Sequence, residues 1–216
     1  MPNSVLTSIV FVGGEFPINL FNERDLIPYF GAIDTDGLVK VGPVGQFSYS
    51  SRKFQFSVTP DRIDLKCSDV KFVPQELMDA AHMITNILTP IRAVVRVSGF
   101  GINCDAVFGR SEIGSSGSDF CRNKLINAQS LPFIGDSDPE FMSARYILRR
   151  SLLRLDVRVE PHFSSGGERL FVAINGHQDL SQEMTLEGLP DAIVTMQEYV
   201  SELYGRILMH GGDENG

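Results

Sequence analysis

Hydrophobic and polar residues alternate most cleanly between Arg149 and Glu160. Leu153, Leu155, Val157 and Val159 fall on one side, and Arg150, Arg154, Asp156, Arg158 and Glu160 on the other. A period of two marks a strand with one buried and one wet face. Strands are also predicted over Ser4 to Val12 and Leu38 to Val44. Lys53 to Val58 and Arg62 to Cys67 flank the turn residues Thr59, Pro60 and Asp61, so they read as a tight hairpin. In that hairpin Phe54, Phe56 and Val58 share one face, as do Ile63, Leu65 and Cys67. Arg92 to Phe108 is predicted extended, with a bulge or bend at Gly99 and Gly101. Arg169 to Asn175 follows the turn Ser164 to Gly167 as the partner of the opening strand.

Three- and four-residue spacing takes over elsewhere. Asn19 to Tyr29 predicts a short helix ended by the Pro28 and Gly31 signals. Leu77, Ala81, Ile84 and Leu88 line one stripe between Pro74 and Pro90. Ile193, Met196, Val200, Leu203 and Ile207 line another from Pro190 to Met209, stopped by Gly211 and Gly212. The expected fold is therefore α+β, an antiparallel sheet whose inner face is covered by two long amphipathic helices. The order hairpin, connector, proline-led helix occurs twice, which suggests a pseudo-duplicated hairpin–helix unit. A single domain over 1–216 is expected. The alternative is two halves, 1–110 and 140–210, joined by a connector over 109–139. That connector is rich in Gly, Ser, Asp and Asn and is anchored by Phe120, Leu125, Ile126, Phe133 and Ile134. A short helix is expected around Phe120 to Ile126, and the length of the segment suits a functional loop.

One stretch resembles a known family. Phe54 to Phe108 carries a strand ending in Asp61-Arg62-Ile63-Asp64-Leu65, a helix, and then Val95-Arg96-Val97-Ser98-Gly99-Phe100-Gly101-Ile102-Asn103. This is similar to a sporadically distributed family of uncharacterised bacterial proteins, which shows an Arg-x-Gly-x-Arg-Tyr-x-Asn-like strand there. The Leu153-Leu155-Asp156-Val157 strand and the terminal helix resemble that family's second half. Here an extra residue separates Arg96 from Gly99, and Phe100-Gly101 stands where Arg-Tyr would be expected. The resemblance covers about half of the chain and implies an architecture, with no activity attached.

Composition narrows the function classes. The formal charge of −8 and pI near 5.0 argue against broad binding to nucleic acid or anionic membrane, which needs an excess of Lys and Arg. Cys67, Cys104 and Cys121 form no CxxC spacing, which suits a reducing cytoplasm better than a disulfide framework. The apolar run near the start is short and lacks a basic flank, so neither a signal peptide nor a membrane span is expected.

Candidate chemistry is sparse. His82, His162, His177 and His210 show no metal-ligand spacing, and no cofactor or metal is expected. His162 and His177 flank the second hairpin, where strand pairing could bring them together. Cys104, at a strand end, is a conceivable nucleophile, but a buried apolar role is the default. Gly114-Ser115-Ser116-Gly117-Ser118-Asp119 resembles a phosphate-cradling loop, with Ser115, Ser116, Ser118 and Asp119 as the candidate ligand-facing residues. The competing reading is a turn followed by a helix N-cap. Asp34-Thr35-Asp36-Gly37 lacks the later ligands of a calcium loop and reads as a hairpin turn.

The arginines are the one charge cluster with geometry behind it. Arg150, Arg154 and Arg158 are placed on one strand face, with Arg150 and Arg154 about 13 Å apart at the usual rise. Arg145 and Arg149 extend the run upstream. Such a row suits carboxylates or phosphates on a partner, or else is neutralised by Asp156, Glu160 and a neighbouring strand. Arg149, Arg150, Arg154 and Arg158 are accordingly the candidate partner- or anion-binding residues. The function expected is that of a non-enzymatic cytosolic protein-binding protein, of the inhibitor or adaptor type, including in phage–bacterium conflict, with self-association as a homodimer in view. The alternative is an enzyme or binder acting on a phosphorylated or nucleic-acid ligand through the arginine face.

Overall fold

The described residues form nine strands, and burial alternates along five of them. The computed structural model describes residues 3–21, 23–30, 40–42, 46–50, 54–68, 75–91, 96–125, 141–150, 152–180 and 188–212. The strands are β1 (Asn3–Gly14), β2 (Lys40–Gly42), β3 (Gln46–Ser50), β4 (Phe54–Thr59), β5 (Arg62–Ser68), β6 (Arg96–Phe108), β7 (Ala144–Arg150), β8 (Leu153–Pro161) and β9 (Leu170–Asp179). They form one antiparallel sheet in the order β2-β3-β4-β5-β1-β6-β9-β8-β7. The helices are α1 (Glu23–Phe30), α2 (Gln75–Leu88), α3 (Arg110–Ile113), α4 (Gly117–Phe120) and α5 (Leu189–Gly212).

The 54–67 hairpin forms in the expected register, with Phe56 opposite Leu65 and Val58 opposite Ile63, all buried. The long strand β6 gives up one residue to a bulge: Val12 faces Gly99, but Gly13 faces Val97, leaving Ser98 as the extra residue beside the expected glycine. Gly101 serves a different purpose, because a Cβ there would lie 2.7 Å from the Gly176 carbonyl oxygen on the neighbouring strand.

The expected cover of two long helices does not form. Of the helices, α5 alone is long, at 24 residues. The other expected long helix is α2, of 14 residues, which ends in a 3-10 turn at Thr89–Ile91. Pro90 has no N–H to continue the helical ladder. The rest of the inner face is covered by short pieces. Phe21, just before α1, packs on Phe56 with ring centroids 5.5 Å apart; α4, with Phe120 fully buried, lies against β8 and β9, and α3, with Ile113 buried, lies against α4 and α5.

Neither is the chain built as two closed hairpin–helix units. Each run is completed by the strand that precedes it, β1 beside β5 and β6 beside β9, and β1 pairs with β6 to make the sheet continuous. α2 lies against β1 and β5, and α5 against β6 and β9. The outermost strand β7 is reached only at its edge, where Arg150 lies over Tyr199 of α5. Tyr204 of α5 fixes this arrangement: its buried hydroxyl donates to the Cys104 carbonyl at 2.6 Å and lies 3.1 Å from that of Val172, one on each of two adjacent strands.

The expected turn at Asp34–Gly37, the anchors Ile126, Phe133 and Ile134, Pro74 and Gly31 lie outside the described residues.

Candidate functional site

Two antiparallel strands side by side put directly opposed residues on the same face, their Cβ atoms about 5 Å apart. β8 begins at Leu153, after a turn at Leu152, so Arg149 and Arg150 belong to β7 rather than to the strand that bears Arg154. This corrects the expected single row. Arg150 is opposite Leu153 and points to the helix side, where its guanidinium stacks 4.3 Å from the Tyr199 ring centroid. Arg149 is opposite Arg154, and Arg145 is opposite Arg158. The outer face of β7–β8 thus carries two cross-strand arginine pairs, separated by Ile147 opposite Asp156.

The two pairs are not equivalent. Arg145 grips Asp156 with two of its three guanidinium nitrogens, Nε to Oδ1 at 2.8 Å and Nη2 to Oδ2. That hydrogen bonding, with the nearby charges of Arg154 and Arg158, holds the Asp156 carboxyl below its ordinary range. Arg158 reaches Glu160 at 3.5 Å and lies 5.4 Å from the Phe171 ring centroid. Arg149 and Arg154 have no hydrogen bond or ion pair among the described residues. One pair is neutralised, and the other presents two bare guanidiniums.

The face continues inward from β8. His177 of β9 is opposite both Arg154 and Gly101, and its Nε2 lies 2.8 Å from Asp179 Oδ1. Beyond it a hollow of about 330 Å³ is lined by Asn103, Asp105, Arg145, Asp156, Arg158 and Asn175 over the small side chain of Ala173. Desolvation pushes the half-buried Asp105 carboxyl up, against the pull of Arg158. Guanidiniums, amides and carboxylates make this surface suited to holding a polar or anionic group.

The groups proposed for catalysis do not meet there. Cys104 is buried on the helix side of the sheet, and burial pushes its thiol up to about 12, so it carries little thiolate near neutral pH. Cys121 is likewise pushed up to about 12 by burial. His162 sits at the β8–β9 turn with its N–H on the Arg169 carbonyl, while His177 lies toward the other end of β9. About seven residues of strand, roughly 24 Å, separate them. The Gly/Ser loop is a helix cap: Ser116 Oγ accepts from the Asp119 N–H at 3.1 Å and donates to its carboxylate at 2.7 Å. The Ser118 N–H and hydroxyl bond the Gly167 carbonyl, pinning the loop to the β8–β9 turn, and Ser115 Oγ donates to the Ser116 carbonyl. Ser115, Ser116, Ser118 and Asp119 are therefore committed to local structure, at the opposite end of β8 from Arg154.

Sequence reasoning missed β7 as a strand. Tyr146 and Leu148 do alternate with Arg145 and Arg149, but Ile147 sits in the polar register and breaks the pattern. Among the described residues no group of three or more His, Cys, Asp or Glu side chains is placed to hold a metal, and no helix is long and apolar enough to cross a membrane.

No family model and no curated protein matches the chain. Among solved structures it is similar to a rolling circle replication initiator protein from Geobacillus stearothermophilus, at 10% identity over 94% of this chain and 83% of that one, with a TM-score of 0.35. It is also similar to TP0453 in its crystal form III, at 13% identity over 88% and 76%, with a TM-score of 0.23. Scores this low carry no argument about fold or function.

Proposed function

We propose that the chain is a non-enzymatic protein-binding protein, of the inhibitor or adaptor type, that engages an acidic surface of another protein through the outer face of β7 and β8. The observation that supports this most is the Arg149–Arg154 pair. Like charges directly opposite on a sheet destabilise it, and among the described residues no carboxylate forms a hydrogen bond or ion pair with either guanidinium, Asp156 acting on Arg154 only through its nearby charge. An incoming carboxylate would meet two guanidiniums arranged for paired hydrogen bonds. The neighbouring Arg145–Asp156 fork gives the face a defined mixed-charge edge that helps to exclude mismatched partners. A cytoplasmic setting belongs to this proposal, since Cys67, Cys104 and Cys121 form no disulfide.

The catalytic alternative lacks a shared pocket, because its nucleophile, histidines and loop lie on different faces and ends of the sheet. Affinity purification from the native host, with wild type and with Arg149→Ser/Arg154→Ser as baits, tests the proposal. A stoichiometric protein partner in native mass spectrometry, lost with the double variant while the fold is retained, is the expected result. Recovery of nucleic acid instead, or of the same partner with both baits, would refute it.

A further inference from the structure

An edge strand is a template for another strand, and proteins ordinarily blunt such edges with proline, bulges or charge. β7 ends the sheet. It pairs with β8 in unbroken register from Ala144 to Arg150, without proline, glycine or bulge, and among the described residues nothing pairs with its other side. Alternate residues therefore turn backbone N–H and C=O groups outward.

The centre of this edge is apolar. Tyr146, Ile147 and Leu148 are 40, 46 and 42% exposed, unusual for three successive residues of a strand whose helical cover stops short. Tyr146 and Leu148 point to the helix side, where Leu148, Leu153, Tyr199 and Leu203 line a groove of about 190 Å³ that Arg150, Glu202 and Arg206 also border. Ile147 points to the outer side, between Arg145 and Arg149. The edge thus offers main-chain hydrogen bonds, a partly apolar groove bordered by Arg150 on one side, and Arg145 and Arg149 on the other.

From this we infer that β7 captures an extended acidic segment of the partner protein by strand addition, its apolar side chains entering the groove beside Tyr199 and its alternate carboxylates meeting Arg149 and Arg154. The inference rests on the proposed acidic partner and specifies how it is held. Charge complementarity selects this occupant over a second copy of the chain. Antiparallel self-pairing centred on Ile147, the register that stacks the three apolar residues, would set Arg145 of each copy against Arg149 of the other.

The test uses synthetic nine-residue peptides and fluorescence anisotropy on the full chain. One peptide alternates Glu with Val; a second has the same sequence with alternate amides N-methylated on one edge; a third alternates Lys with Val. The first should bind at least tenfold more tightly than either of the others. The Leu148→Lys variant, which puts a charge into the groove while altering an exposed side chain, should lose binding with an unchanged far-ultraviolet spectrum. Arg149→Glu should lose binding by reversing charge without touching the backbone edge. Equal affinity for the first two peptides would overturn strand addition while leaving the acidic-partner reading standing. Preference for the Lys peptide, or no binding of the Glu peptide, would overturn both. A dimer in native mass spectrometry that Leu148→Lys dissolves would assign the edge to a second copy and overturn this inference.

Discussion

If Arg149 and Arg154 are bare and opposed, their repulsion is measurable in the free protein. The perturbation is a double-mutant cycle: wild type, Arg149→Gln, Arg154→Gln and the double variant. Two unit charges about 7 Å apart in water repel by about 0.6 kcal/mol, and at about 0.15 M salt, with a Debye length of roughly 8 Å, less than half of that survives. Directly opposed residues on a sheet typically couple by about 0.2–1 kcal/mol, so the two routes agree. The expected coupling is repulsive, about 0.5 kcal/mol at low salt, and near zero at about 1 M salt, where the Debye length is roughly 3 Å. Either single replacement relieves the repulsion, so the double variant gains no more from this term than one single variant does. Arg154 also attracts Asp156 two residues along its strand, and only the cycle removes that contribution from the comparison. Urea unfolding is the assay, because four midpoints with a common slope convert directly into the coupling. In a chain of 216 residues the effect amounts to about 1–2 °C in Tm. An attractive coupling at low salt, or one indifferent to salt, would show that the pair is neutralised in the folded chain and would remove the main support for an acidic partner.

Other outcomes follow from the core and from the paired side of the site. Tyr204→Phe removes a buried hydroxyl that serves Cys104 and Val172 and should cost about 1–2 kcal/mol in urea unfolding; no loss would mean that the hydroxyl does not tie α5 to β6 and β9. Buried thiols pushed up to about 12 at Cys104 and Cys121 should be inert to a thiol reagent at pH 8 until the chain unfolds; rapid labelling of either in the native state would contradict their burial. The Asp156 carboxyl is depressed in the folded state by Arg145, so its contribution to stability is present above the ordinary carboxylate value of about 3.9 and lost as pH falls through the lower folded value. Carbon-detected NMR should place its titration below that value in wild type and return it toward about 3.9 in Arg145→Gln; an unshifted titration would deny the fork.

What the sequence made legible was whatever depends on a repeating pattern. The 54–67 hairpin, β8 and α5 are each signalled by at least three apolar positions at a constant period, and burial enforces that period because a one-residue slip would turn the whole set to solvent. Helical cover was overestimated for the opposite reason. Apolar stripes at 77–88 and 193–207 show that a helix has something to bury, but not how many strands it must reach across. The sheet's width comes from short strands such as Lys40–Gly42 and from β7, whose residues are exposed and obey no burial pattern. The placement of the arginines was legible only in part. Arg154 and Arg158 share a face as their spacing demands, while the turn at Leu152 moved Arg149 and Arg150 to another strand, sending them to opposite faces. A turn at a single apolar residue, Leu152, carries little compositional signal, and without it the cross-strand pairing of Arg149 with Arg154 cannot be seen.

The overall charge of −8 argues against broad binding to nucleic acid or anionic membrane, yet it does not decide what a single face can hold. Net charge acts at long range, whereas a face is read within a Debye length of about 8–10 Å. Arg145, Arg149, Arg154 and Arg158 lie together on adjacent strands, while the carboxylates nearest them, Asp156 and Glu160, are engaged by Arg145 and approached by Arg158. An acidic partner is therefore repelled by most of this molecule and attracted at one edge. This slows encounter but fixes orientation, since approaches to other faces are penalised. The same logic separates the proposed partner from nucleic acid, whose affinity comes from many phosphates neutralised at once. Two bare guanidiniums and a partly apolar groove suit a short extended peptide with one or two carboxylates better than a long polyanion.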